Sequence, residues 1–133
     1  MPSVRIKKLY HDGLLAAILL SCLCISLAAF AQDSLPKIKP AGYVNDFAGV
    51  LTQSGRDQLT ALCTEVDQKT KAQIAVVTVK SLDGQAVEDY AVNLATKWGV
   101  GPKQSARGVL ILVAPQDHKY FTAVGYGLEP ILP

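Results

Sequence analysis

The sequence predicts an α/β fold: a mixed β-sheet with helices packed on its faces, built from a βαβ unit plus an antiparallel hairpin. Three observations predict it. Two apolar runs, QIAVVTV at 73–79 and VLILVA at 109–114, are β-branched and nearly continuous, the composition of strands buried on both faces. Between them lies a stretch with apolar residues at helical spacing, and a strand–helix–strand unit of this kind lays its strands parallel through a right-handed crossover. A short connection at 115–118 then leads to a third strand at 120–124, which makes the last pair an antiparallel hairpin.

Taken in order, the chain opens with Arg5, Lys7 and Lys8 against a single Asp12, followed by the almost wholly apolar stretch 14–27. Ala29-Phe30-Ala31 supplies the small-x-small pattern of a signal peptidase site. Residues 1–31 are therefore expected to be a signal peptide, with Gln32 the first mature residue. The protein is expected to be exported, and periplasmic, secreted or, where the segment stays uncut, membrane-tethered. Residues 32–42, QDSLPKIKPAG, carry two prolines and no periodicity and read as a linker. A helix starts after Leu51, where Thr52 can cap it. Its apolar stripe is Leu59, Leu62, Cys63 and Val66, with Arg56, Asp57, Glu65, Asp67 and Lys69 opposite. After the strand at 73–79, Ser81-Leu82-Asp83-Gly84 punctuates. Val87, Tyr90, Ala91, Leu94 and Trp98 then repeat at helical spacing until Gly99 and Gly101 stop them. Both stripes are assigned to core packing. The domain spans 43–133, and no internal repeat interrupts it.

Composition narrows the function. The chain has 13 basic and 11 acidic residues, but beyond residue 31 the two balance at ten each. The apparent basicity belongs to the targeting segment, so no nucleic-acid footprint remains. Of three cysteines only Cys63 lies in the mature part, which rules out an internal disulfide there and leaves a domain that depends on its core. Cys63 sits on the apolar side of its helix, the place of a small hydrophobe rather than a reactive thiol. His118 is the single mature histidine and falls in a turn, so a histidine-rich metal site is excluded. There is no GxxxxGK[ST] loop for a nucleotide phosphate, and no nucleophile elbow accompanies Ser81 or Ser105.

Five blocks in order carry a resemblance. They are YVNDFAGVL at 43–51, QIAVVTV at 73–79, YAVNL at 90–94 with WGVG at 98–101, GVLILV at 108–113, and GYGLE at 125–129. Together they resemble the TPM domain, the family named for thylakoid-lumen, photosystem II-associated and receptor-modulating members, from about Tyr43 to Pro133. The resemblance implies an exported or membrane-tethered bacterial protein. It also implies that the GYGLE loop leads through Leu-Pro into further helices, so residues 131–133 are expected to stop short of C-terminal elements that the family possesses.

The resemblance implies a chemistry as well. Family members are linked to calcium binding and weak acid phosphatase activity, and on that basis Asp46 and Glu129 are candidate oxygen ligands of a hard cation. Gly125, Tyr126, Gly127 and Arg107 form a candidate ligand loop, in which the glycines permit close backbone approach and Arg107 suits an anionic group. One departure weighs against the metal. Where the family commonly has Asp-Asn-Gly, this chain has Ala106-Arg107-Gly108, which removes a carboxylate and adds a positive charge. Pro130, in place of the family's usual glycine, stiffens the same loop. The expected function is a non-catalytic accessory or binding domain near the membrane, partnered by a membrane protein or complex and taking no nucleotide. The alternative is a weak calcium-dependent acid phosphatase, for which calcium would be the one cofactor.

Overall fold

The computed structural model describes residues 38–132, together with Leu35 and residues 13–14; Ala29, Ala31 and Gln32 of the expected cleavage site lie outside the described residues. The fold below is that of the unit Leu35–Pro133. Its elements run β1 (Val44–Asp46), α1 (Gln53–Thr70), β2 (Gln73–Thr78), α2 (Val87–Trp98), β3 (Gly108–Ala114), a 3-10 turn (Pro115–Asp117) and β4 (Lys119–Val124). They form a sheet of order β1-β2-β3-β4. The first three strands are parallel and β4 returns antiparallel along β3. This is the mixed sheet that the apolar runs predict, with one strand added. β1 is three residues long, and its Asn45 and Asp46 are poor strand formers, so its sequence carries no strand signal.

Local chemistry sets the helix ends. Thr52 caps α1 by accepting from the Gly55 amide at 3.1 Å, and Lys71 closes it in the left-handed region at φ 58°, its N–H donating to the Asp67 carbonyl. The face that α1 turns inward is Arg56, Leu59, Cys63, Val66 and Asp67. Leu62, expected in that stripe, is 57% exposed. Each residue advances about 100° around a helix, so Leu62 lies one step past the seam that Cys63 occupies. α2 has no side-chain cap at Ala86. Glu88 and Asp89 in its first turn favour the helix dipole, and Gly99 ends it at φ 64°.

The two helices cover opposite faces. Val77, Leu110, Leu112 and Ala114 meet Tyr90, Ala91 and Leu94 of α2. Val109, Ile74 and Ile111 meet Val66 of α1, and Ala72 and Leu128 complete that second cluster. Both crossovers step the same way across the sheet, from β1 to β2 and from β2 to β3, so with helices on opposite faces they have opposite hands. The right-handed rule therefore holds for one of them and not both. The stretch read as a linker contributes to the core: Leu35 is buried, Ile38 packs against the α2 cluster, and the indole Nε1 of Trp98 donates to the Ile38 carbonyl at 3.1 Å.

Among the described residues no helix is long and apolar enough to cross a membrane.

Candidate functional site

Parallel sheets tend to place ligands beyond the carboxyl ends of their strands, and Asp46 stands there, at the upper end of β1. Its side chain is only 1% exposed, and both oxygens already hold partners. Oδ1 accepts from the Val50 amide at 3.1 Å and from the Thr78 hydroxyl; Oδ2 accepts from the Leu51 amide at 3.0 Å and from an Arg56 guanidinium nitrogen at 3.4 Å. Burial pushes the carboxyl up, but the bonds from Thr78, Leu51 and Val50, with the charge of Arg56, outweigh it and hold the group below its ordinary value. The carboxylate thus clamps the loop 47–51 between β1 and α1. Asn45 does similar work below it, accepting from the Ala41 amide at 2.7 Å and donating to the Gly42 carbonyl at 3.0 Å.

Glu129 is exposed and lies at the other end of the molecule. β4 runs down from Lys119, opposite Ala114, to Val124, opposite Val109, so the loop that follows it sits at the lower end of the sheet, on the edge farthest from β1. Three strand spacings and four residues along β3 separate that corner from Asp46, on the order of 20 Å. Two ligands of one calcium ion must each come within about 2.6 Å of it. The structure therefore does not bring Asp46 and Glu129 together, and among the described residues no three His, Cys, Asp or Glu side chains gather around one point.

The candidate ligand loop is assembled, but around the chain itself. The Gly125 amide donates to the Gly108 carbonyl at 2.7 Å and the Gly127 amide to the Ala106 carbonyl at 3.1 Å. A Cβ on Gly125 would stand 2.2 Å from the Ala106 oxygen, and one on Gly127 would stand 1.9 Å from the Ser105 oxygen. Gly101 and Gly108 meet in the same way, a Cβ on Gly108 falling 2.1 Å from the Val100 oxygen. These glycines let three backbone segments interleave, so the close approach they permit is to neighbouring carbonyls. Arg107 belongs to this layer: its side chain lies against Gly127, and its Nε is buried without a partner among the described residues. Tyr126, by contrast, projects into solvent at 83% exposure.

A further concavity was not singled out by the sequence. Beside the lower end of β2, Pro40, Tyr43, Gln73, Ile74, Trp98 and Val100 line a cleft of about 360 Å³, within the range of ligand pockets. Trp98 is the only tryptophan of the chain; as its helical spacing predicts it packs against the α2 cluster, but it stays half-buried and stands edge-on to Phe47 at 6.3 Å between ring centroids. The available signal was a large aromatic immediately before a Gly-x-Gly helix stop, a position where the chain turns away.

Similarity to known proteins agrees with this architecture. The N-terminal domain of a protein from P. gingivalis, solved by NMR, superposes with a TM-score of 0.64 at 30% identity, over 68% of this chain and 58% of that one. The N-terminal domain of the cg2496 protein from Corynebacterium glutamicum gives 0.57 at 19% identity, over 74% and 62%, and speaks to the fold alone. The chain thus spans about three fifths of the length of each. No curated protein matches it in sequence. The family model of the TPM domain matches residues 44–133, from β1 through the GYGLE loop, and the chain belongs to the TPM domain family.

Proposed function

We propose that this protein is an exported, non-catalytic accessory domain that works near a membrane by binding a partner protein or complex. The observation that carries the reading is the state of Asp46: a carboxylate whose two oxygens already accept from two backbone amides, a hydroxyl and a guanidinium has little left to give an incoming cation. Its distance from Glu129 supports the same reading. The apolar segment 14–27 behind a basic n-region supports export, and membership of the TPM family is consistent with a role beside membrane complexes.

The test is a thermal melt of the protein with and without millimolar calcium, paired with an acid phosphatase assay on p-nitrophenyl phosphate. A cation bound only by the folded state raises the midpoint by mass action, by about 2.7 kcal/mol at a hundred times its dissociation constant. The expected result is a cooperative melt that calcium leaves in place, with no calcium-dependent hydrolysis. A midpoint that rises with calcium, together with hydrolysis, overturns the proposal in favour of the calcium-dependent phosphatase. N-terminal sequencing of the exported protein tests the other half, with Gln32 the expected first residue.

A further inference from the structure

The cleft beside β2 has the shape of an unfinished strand pair. The ladder between β1 and β2 begins where the Val76 amide donates to the Tyr43 carbonyl at 2.7 Å. On the other side of β2, the Gln73 amide donates to the Arg107 carbonyl at 2.9 Å. Amides alternate in direction along a strand, so the N–H and C=O of Ile74 face the β1 side, one rung below Tyr43. No strand residue meets them there among the described residues, because the chain leaves the sheet plane at Gly42, at φ 118°, and the Asn45 side chain holds the turn through Ala41 and Gly42. The unfilled rung opens onto the wall formed by Trp98 and Pro40.

Gln73 adds a fixed pair of donors. The Gly101 amide donates to Gln73 Oε1 at 3.2 Å. An N–H can only meet the oxygen of that amide, so the Nε2 group is turned the other way. The side of the cleft thus offers an N–H, a C=O and an NH₂ group beside Trp98, and among the described residues no charged side chain lines it. One residue of an extended segment supplies the matching acceptor and donor through its own C=O and N–H, as when such a segment adds to a sheet edge and drops alternate side chains into pockets.

We infer that this cleft binds a short, uncharged, extended segment of a partner protein, whose backbone pairs with Ile74 and Gln73 and whose aliphatic side chain packs on Trp98. The inference rests on the accessory-domain reading and names its ligand class. Trp98, the sole tryptophan, reports directly on the site. The experiment titrates the full chain with the blocked peptide acetyl-Ala-Val-Ala-Val-amide and follows tryptophan emission, alongside the same peptide N-methylated at its two central residues. The expected result is a saturable change with the plain peptide and binding at least about tenfold weaker with the N-methylated one, the loss of a backbone hydrogen bond. Gln73→Glu, which keeps the acceptor for Gly101 and removes the two donors, should weaken the plain peptide by a similar factor while leaving the circular dichroism melt in place. An emission that stays constant to millimolar peptide overturns the site, as does an N-methylated peptide that binds equally well. Either result, in a chain that folds and ignores calcium, leaves the accessory reading standing without this ligand.

Discussion

Asp46→Asn distinguishes a carboxylate that holds its own loop from one that holds a metal. The swap keeps the volume and half of the acceptors. Asn can offer one oxygen, to the Val50 and Thr78 pair or to the Leu51 and Arg56 pair, and must set an NH₂ group against the other. Bonds to a charged group contribute about 1.5–3 kcal/mol each, and a buried donor left unmet costs about 1–3 kcal/mol. Arg56 adds little, since its side chain is 41% exposed and its contact is 3.4 Å long. The expected loss is about 3 kcal/mol for Asn and about 4 kcal/mol for Ala, which leaves all the donors unmet. In a domain of this size that corresponds to a fall in Tm of about 12–24 °C for the Asn variant.

The measurement is a urea and thermal melt by circular dichroism, repeated across pH. Because folding lowers the Asp46 pKa, its contribution is fully present above the ordinary carboxylate value near pH 4. It is lost as pH falls through the folded-state value, so stability should decline on the acid side. Asp46→Asn should flatten that acid limb as well as lower the plateau. An Asn variant that melts within about 1 kcal/mol of the parent refutes the clamp, because setting an NH₂ group against one of the two donor pairs cannot be so cheap. If the same variant also abolishes a calcium-induced rise in Tm, Asp46 is a ligand and the accessory reading fails with it.

The remaining predictions concern backbone and surface. Gly127→Ala and Gly125→Ala drive a methyl group into the Ser105 and Ala106 carbonyls and should each cost at least about 2 kcal/mol in a chemical melt; a neutral result would mean the three segments are not interleaved. Ala106 is held at φ 48° with its side chain exposed, so Ala106→Asn should stabilise the fold by up to about 1 kcal/mol. Lys71→Gly, at the left-handed end of α1, should gain a similar amount, read as a rise in Tm. Leu62→Gln should change stability by less than about 0.5 kcal/mol, whereas a core position such as Leu94, fully buried in the α2 cluster, should lose about 2–5 kcal/mol on truncation to Ala.

How much of this was legible depends on what each residue's role is written in. β2, β3 and α2 are legible because burial dictates composition: strands covered on both faces must be apolar throughout, and a helix on a sheet must repeat its apolar side. β1 is not, since its Asn45 and Asp46 are there to hold turns and a loop, and such work selects against strand formers. The glycines at 125 and 127 were legible as a place of close approach to the backbone, and were read as an approach by a ligand. What approaches them was not, because a ligand atom and the Ser105 carbonyl make the same demand on a missing Cβ. The separation of Asp46 from Glu129 is different in kind, for it follows from direction alone. Once β1 is known to run parallel to β2 and β3, a residue at its end stands at the top of the sheet. A residue that follows the antiparallel β4 must then stand at the bottom. The antiparallel hairpin was readable, and the parallel β1 was not, so the one unread strand of three residues decided whether two carboxylates looked like a pair.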